Sequence, residues 1–177
     1  HTKNPYEFAG DNSELNYIAQ LRYPIMIDEL YHYIEFDEIV LVEPGEPKTV
    51  YGDDQFWDYV IVEASLDNGN SWIEIEDGWD SRWSKNWEST YNNSVYNQYA
   101  QAIGSPEMYE KHLINLLATD KLKAGDKVLI RFRLYSDPFA YGWGWAIDNL
   151  KVQSQGVSSP YLYGKSKFRV YPNPVSD

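Results

Sequence analysis

Carboxylates are the main reactive groups of this chain. Its 177 residues include 27 Asp and Glu, only three His (positions 1, 32 and 112) and no Cys. Without Cys there is no thiol nucleophile, no thiolate-held zinc and no disulfide. The His residues are too scattered to form a metal-binding run, and H-E-x-x-H, G-x-S-x-G and a phosphate-cradling Gly loop are all absent. Two chemistries remain open to carboxylates. A pair roughly 5–9.5 Å apart can cleave a glycosidic bond, and a convergent set can hold a hard cation. So many acids leave no hydrolytic pair to single out.

For the cation, strand parity singles out three residues. Asp58 shares its parity with Val60, Val62 and Ala64, Asp148 with Ala146, Leu150 and Val152, and Glu43 follows Ile39 and Leu41. Each carboxylate is thereby turned toward the side its strand gives to the core, where a charge is costly unless paired, protonated or bound to a cation. Oxygen ligands converging from different strands suit Ca²⁺, which makes Glu43, Asp58 and Asp148 candidates to hold a structural Ca²⁺, a reading that parity alone leaves level with its alternative. The alternative is that each acid ends its strand and reaches water.

Aromatic residues form the second set, with 16 Tyr, 7 Trp and 6 Phe. Tyr141, Trp143 and Trp145 alternate with glycines, which is either a stacking platform for sugar rings or packing against a second sheet; for Trp145 packing is favoured. Trp79, Trp83, Trp87 and Tyr91 recur every four residues and align along a short helix. If the protein binds a ligand directly, Trp79, Trp83 and Trp87 are the expected contacts, with Trp143 as their neighbour. The rival is that these rings form a satellite core.

The elements that must position these residues are mostly strands. Val128, Ile130, Phe132 and Leu134 alternate with Leu129, Arg131, Arg133 and Tyr135, and similar runs cover residues 16–27, 31–43, 56–65, 72–75 and 143–152. Asn68-Gly69 tolerates the positive φ angles of a hairpin between residues 59–66 and 71–75. Many short strands with little helical periodicity predict an all-β, antiparallel β-sandwich. Residues 77–110 are polar, aromatic and too long for a simple connection, and so read as an insertion. A small, polar stretch begins at Ser154, so the module is expected to span residues 1–153, followed by a linker over 154–166.

Composition narrows the partners. A net charge of -12 argues against nucleic acid. No run approaches the ~18 apolar residues of a membrane span. The first ten residues lack the basic and apolar regions of a signal peptide, and the chain reads as a piece of a secreted precursor.

Three separated motifs carry a resemblance: D-Y-V-I-V-E-A-S-L-D-N-G-N-S-W from Asp58, I-R-F-R-L-Y-S-D from Ile130 and G-W-A-I-D-N-L from Gly144. In that order, over about residues 17–153, they resemble the MAM-like, cleaved-adhesin-like jelly-roll modules of secreted bacterial proteins, often peptidases. The resemblance implies a jelly roll of the concanavalin A/MAM type, with Ca²⁺ near the equivalents of Glu43, Asp58 and Asp148. Ser65, Asp67, Gly69 and Trp72 fit a single Asp-box hairpin. The tail F-R-V-Y-P-N-P-V-S-D resembles the opening of a Bacteroidetes type IX C-terminal sorting domain, so residues 167–177 would be its truncated start and the protein would be exported to the cell surface. The expected function is a non-catalytic accessory or adhesion module, calcium-stabilised, binding glycan or protein beside the other domains of its precursor. The alternative is a carboxylate-pair glycoside hydrolase or lyase acting on polysaccharide.

Overall fold

The computed structural model describes residues 14–96 and 99–154. The expected linker over 155–166 and the sorting segment over 167–177 lie outside the described residues. Ser154, read from sequence as the first linker residue, is the last residue of a strand.

Two antiparallel sheets face each other. In the first, β1 (Leu15–Gln20), β9 (Lys127–Ser136), β4 (Tyr59–Ser65) and β5 (Ile73–Glu74) lie side by side, and β2 (Ile25–Met26) continues along β9. The second has the order β10 (Gly144–Ser154), β3 (Tyr33–Leu41), β8 (Glu110–Asn115). Successive long strands change sheet, from β3 to β4 and again from β8 through β9 to β10, as in a jelly roll. The protein is an all-β antiparallel sandwich of jelly-roll type, as its alternating runs predict.

The alternation decides what is buried. Val128, Ile130 and Phe132 of β9 and Val60, Val62 and Ala64 of β4 face Ile34, Phe36 and Val40 of β3 across the core. Phe36 meets Phe132 edge-on, with centroids 5.7 Å apart at 85°. Each Val, Ile or Phe among them contributes about 1.5–3 kcal/mol on burial, so emptying the Phe36 position strikes the centre of the fold. On the outer face of the first sheet, Glu63 accepts hydrogen bonds from Arg131 and Arg133, and Arg131 lies 4.1 Å over the Trp72 ring. Burial disfavours the Glu63 charge, but the two guanidinium groups outweigh it and hold its pKa below the ordinary value.

The β4–β5 hairpin forms around Asn68 (φ 62) and Gly69 (φ 96), but as a loop over residues 66–72 rather than a tight two-residue turn. Ser65 Oγ donates to Asp67 Oδ1, and Asp67 accepts from the Ser71 amide and hydroxyl. These bonds within the Asp-box motif close the loop.

The aromatic insertion differs from its expected form. Trp79 does not lie on a helix: it bridges to Val60 through two backbone hydrogen bonds and extends the first sheet. Trp83 ends a 3₁₀ turn over Ser81–Trp83, and only Trp87 and Tyr91 lie on the α-helix, α1 (Lys85–Ser94). The two-strand ribbon of β6 (Val95–Tyr96) and β7 (Tyr99–Ala100) follows. Framework resumes at Glu110, because β8 pairs with β3 from Tyr33↔Asn115 to Glu38↔Glu110.

Candidate functional site

Three carboxylates converge at one end of the sandwich. Glu43 lies just beyond the end of β3, Asp58 just before β4 and Asp137 just after β9, so three strand termini bring them together. One oxygen from each lies within 4.8 Å of the others. Asp58, 1% exposed, accepts hydrogen bonds from the Asp137 amide at 2.9 Å, the Ser136 hydroxyl at 3.2 Å and the Glu43 amide at 3.3 Å. None of these donors carries a positive charge. Burial and then the Asp137 and Glu46 charges push the Glu43 carboxyl up to about 7, and burial raises Asp58 well above the ordinary range. Glu43 Oε2 is buried without a hydrogen-bond partner among the described residues. Such a group is costly unless something accepts its lone pairs.

The donor set fits a hard divalent cation, which prefers several carboxylate oxygens. Tyr91 of α1 faces the same charge: burial first, then Glu43, Asp58 and Asp137, raise its phenol. The insertion helix therefore packs beside the cluster.

Of the three ligands expected from sequence, Glu43 and Asp58 come together and Asp148 does not. Asp148 is exposed on β10 and pairs in register with Asp37. The parity reading failed because the core side of β10 is that of Trp145, whose ring packs against Phe36 and Phe132, rather than that of Ala146. A register shift after Asp148, with Asn149 at φ 51, then breaks the alternation. The third carboxylate is Asp137. Its signal was available in the quoted motif I-R-F-R-L-Y-S-D, where an acid directly follows a long strand and precedes Pro138.

A cleft of about 530 Å³ opens beside the cluster, between β1 and β10. Tyr17, Phe132, Leu134 and Val42 line it together with Trp143 and Trp145, and Asp58 and Ser136 form its polar end. Gly142 fixes the wall: a Cβ there would come within 2.0 Å of the Leu41 carbonyl oxygen, so that backbone meets backbone. The close approach expected of the Gly-Trp alternation is thus filled from within the protein. Trp143 is half-buried, and its ring lies against Gly104 of the insertion, where a Cβ would meet it at 2.7 Å.

The expected Trp contacts separate by burial. Trp87 is fully buried and donates its indole N–H to the Met108 carbonyl at 2.9 Å; Trp79 is 6% exposed. Both serve the fold, whereas Trp83 is 47% exposed. Trp83 covers His112, with rings 5.2 Å apart at 14°, and Phe36 stacks on the same imidazole at 5.3 Å and 18°.

His112 is pinned between two acids. Its Nδ1 lies 2.5 Å from Glu38 Oε1, its Nε2 lies 2.7 Å from Glu76 Oε1, and Trp145 donates to Glu38 Oε2 at 2.6 Å. Burial opposes the imidazolium, but the two carboxylates outweigh it and raise His112 to about 9. Burial likewise raises Glu38, although His112 and then Trp145 counter it. The His112 charge and the Glu38 charge support each other in a shared ion pair. Glu38 was missed from sequence although its parity with Ile34, Phe36 and Val40 places it on the core face.

No family model and no curated protein matches the chain. Among solved structures it is similar to a module described as "X-ray crystal structure of a non-crystalline cellulose specific carbohydrate-binding module: CBM28", at 9% identity and a TM-score of 0.41, covering 84% of this chain and 70% of that one. A likeness that distant carries no ligand over.

Proposed function

We propose that this chain is a non-catalytic accessory or adhesion module, stabilised by Ca²⁺ held on Glu43, Asp58 and Asp137. The observation that carries this reading is the convergence of three carboxylates, one with a buried oxygen that has no hydrogen-bond partner among the described residues. Carboxylates gathered on one point suit an ion. Glycoside cleavage needs two carboxylates flanking a substrate bond, and among the described residues the cleft beside this cluster is lined by one, Asp58. The sequence motifs, together with the jelly-roll architecture, support a MAM-like module of a secreted or cell-surface protein. Its partner is a glycan or a protein, and the small number of polar groups in the cleft favours protein, because each sugar hydroxyl taken from water needs a hydrogen bond.

Differential scanning fluorimetry with Ca²⁺ and with EDTA tests the ion. An ion that binds only the folded state at 100 times its Kd stabilises by about 2.7 kcal/mol. Chelation is expected to lower Tm in the natural protein and in Asp148→Asn, and to leave Asp137→Asn unmoved. Equal melting with and without Ca²⁺ in the natural protein refutes the reading.

A further inference from the structure

We infer that the cleft between β1 and β10 receives an extended, basic polypeptide segment of a partner, added as a strand along these two edges. The inference names a partner for the module proposed above and rests on its being a binding module, but it does not need the ion.

Edge geometry is the first support. β1 is the last strand of one sheet and β10 the last strand of the other, and among the described residues no strand pairs with the outer edge of either. Each edge presents a row of backbone N–H and C=O groups directly beside the cleft. Backbone-to-backbone bonding along such a row is open to an extended peptide and not to an alkyl chain or a sugar.

The cleft itself sets the side-chain pattern. Strand side chains alternate, so every second residue of an added strand points inward. Inward positions would meet Tyr17, Leu134, Trp143 and Phe132, which suits aliphatic side chains. Ile18, 44% exposed, continues this apolar surface at the rim. Charge sets the rest. The protein carries a net -12, Asp58 closes the cleft, and among the described residues no basic side chain hydrogen-bonds to it. That overall negative charge acts on the alternate, outward positions, so Lys or Arg there gains and Asp or Glu loses.

The full chain would be titrated, with Trp fluorescence and calorimetry as readouts, against an N-acetylated eight-residue peptide alternating Val and Lys. Two further peptides would replace Lys by Glu or alternate Val by Pro. Saturable binding of the Val-Lys peptide is expected, weakening at least tenfold for either replacement, weakening with salt, and weakening tenfold in Ala19→Trp, which fills the β1 side of the cleft. Trp143→Ala serves as a second variant should Ala19→Trp fail to fold. Failure of the Val-Lys peptide to bind overturns the inference. So does equal binding of the Pro peptide, since strand addition needs its N–H groups. Cellohexaose or dodecyl maltoside binding in its place, or self-association of the chain through this face, assigns the cleft to another occupant and also overturns it. Loss of the Ca²⁺ response with peptide binding intact defeats only the ion, and the reverse defeats only the cleft.

Discussion

Raising the pH should release the insertion from the sandwich through His112. The imidazole is 6% exposed, holds carboxylates at both nitrogens and carries Trp83 on its outer face. Its pKa rises from 6.5 to about 9 on folding, with burial opposing and Glu38 and Glu76 outweighing it. A group whose folded pKa lies above its unfolded one stabilises fully below the unfolded value, here 6.5, and loses that contribution as pH rises through the folded value, here about 9. At ~1.4 kcal/mol per pH unit this amounts to about 3 kcal/mol, an upper figure because Glu38 shares the proton. For a domain of this size ~1 kcal/mol moves Tm by about 2–4 °C, so Tm should fall by about 6–12 °C between pH 6.5 and 9.5. The scan stops there because Tyr51 and Tyr135 ionise only at higher pH, burial having raised both. The assay is thermal unfolding by circular dichroism in EDTA, beside His112→Gln. That variant should be less stable at pH 6.5 and keep only the smaller fall that the raised Glu43 and Asp58 carboxyls give both proteins. A flat profile in the natural protein, or the same fall in His112→Gln, refutes the charged-His account.

Further outcomes follow from packing. Trp87→Ala should cost about 3–5 kcal/mol in urea unfolding, because it empties a fully buried site and removes the bond to Met108. Trp83→Ala should cost less, with its main effect a shift in the pH profile of His112. Gly142→Ala should be among the most destabilising single changes in the chain, since the added Cβ meets the Leu41 carbonyl at 2.0 Å; melting within 2 °C of the natural protein, by the same ~2–4 °C per kcal/mol, would contradict that close approach.

The strands were legible because short apolar runs with charged residues on the opposite parity, Glu63 in β4 and Arg131 and Arg133 in β9, mark extended chain, although Ile61 and Leu129 are buried on that opposite face as well. β8 was not read, because E-K-H-L-I-N places a His where an aliphatic residue would mark the core face. That His is tolerated there because Glu38, on the adjacent strand, and Glu76 supply its counter-charge, which is a tertiary fact. The four-residue Trp spacing was real but misleading. Trp79 is captured by Val60 into the sheet, and the helix begins only after Ser84, so one apparent stripe is divided among a bridge, a 3₁₀ turn and α1. Parity found Asp58 but misplaced Asp148, since parity fixes which residues share a face and not which face is inside.

Asp148 and Asp58 differ in where they lie on their strands. Asp148, in the interior of β10, is held on the outer face by its in-register pairing with Asp37, whereas a carboxylate at a strand end stays wherever the sheet ends. Glu43, Asp58 and Asp137 all lie at such ends, and the jelly-roll crossings bring those ends to one corner of the sandwich. Asp58 also closes the cleft, and Tyr91 of the insertion faces the same cluster, so a cation there would join two strand termini, the β9–β10 connection and α1 at a single point. The corner is therefore where the loss of one ligand should be felt across several elements. Asp137→Asn, which removes a charge from the segment running to Trp143, is expected to loosen the cleft wall as well as the ion. Faster amide exchange over residues 137–143 than in Asp148→Asn would show that coupling, and equal exchange in the two variants would refute it.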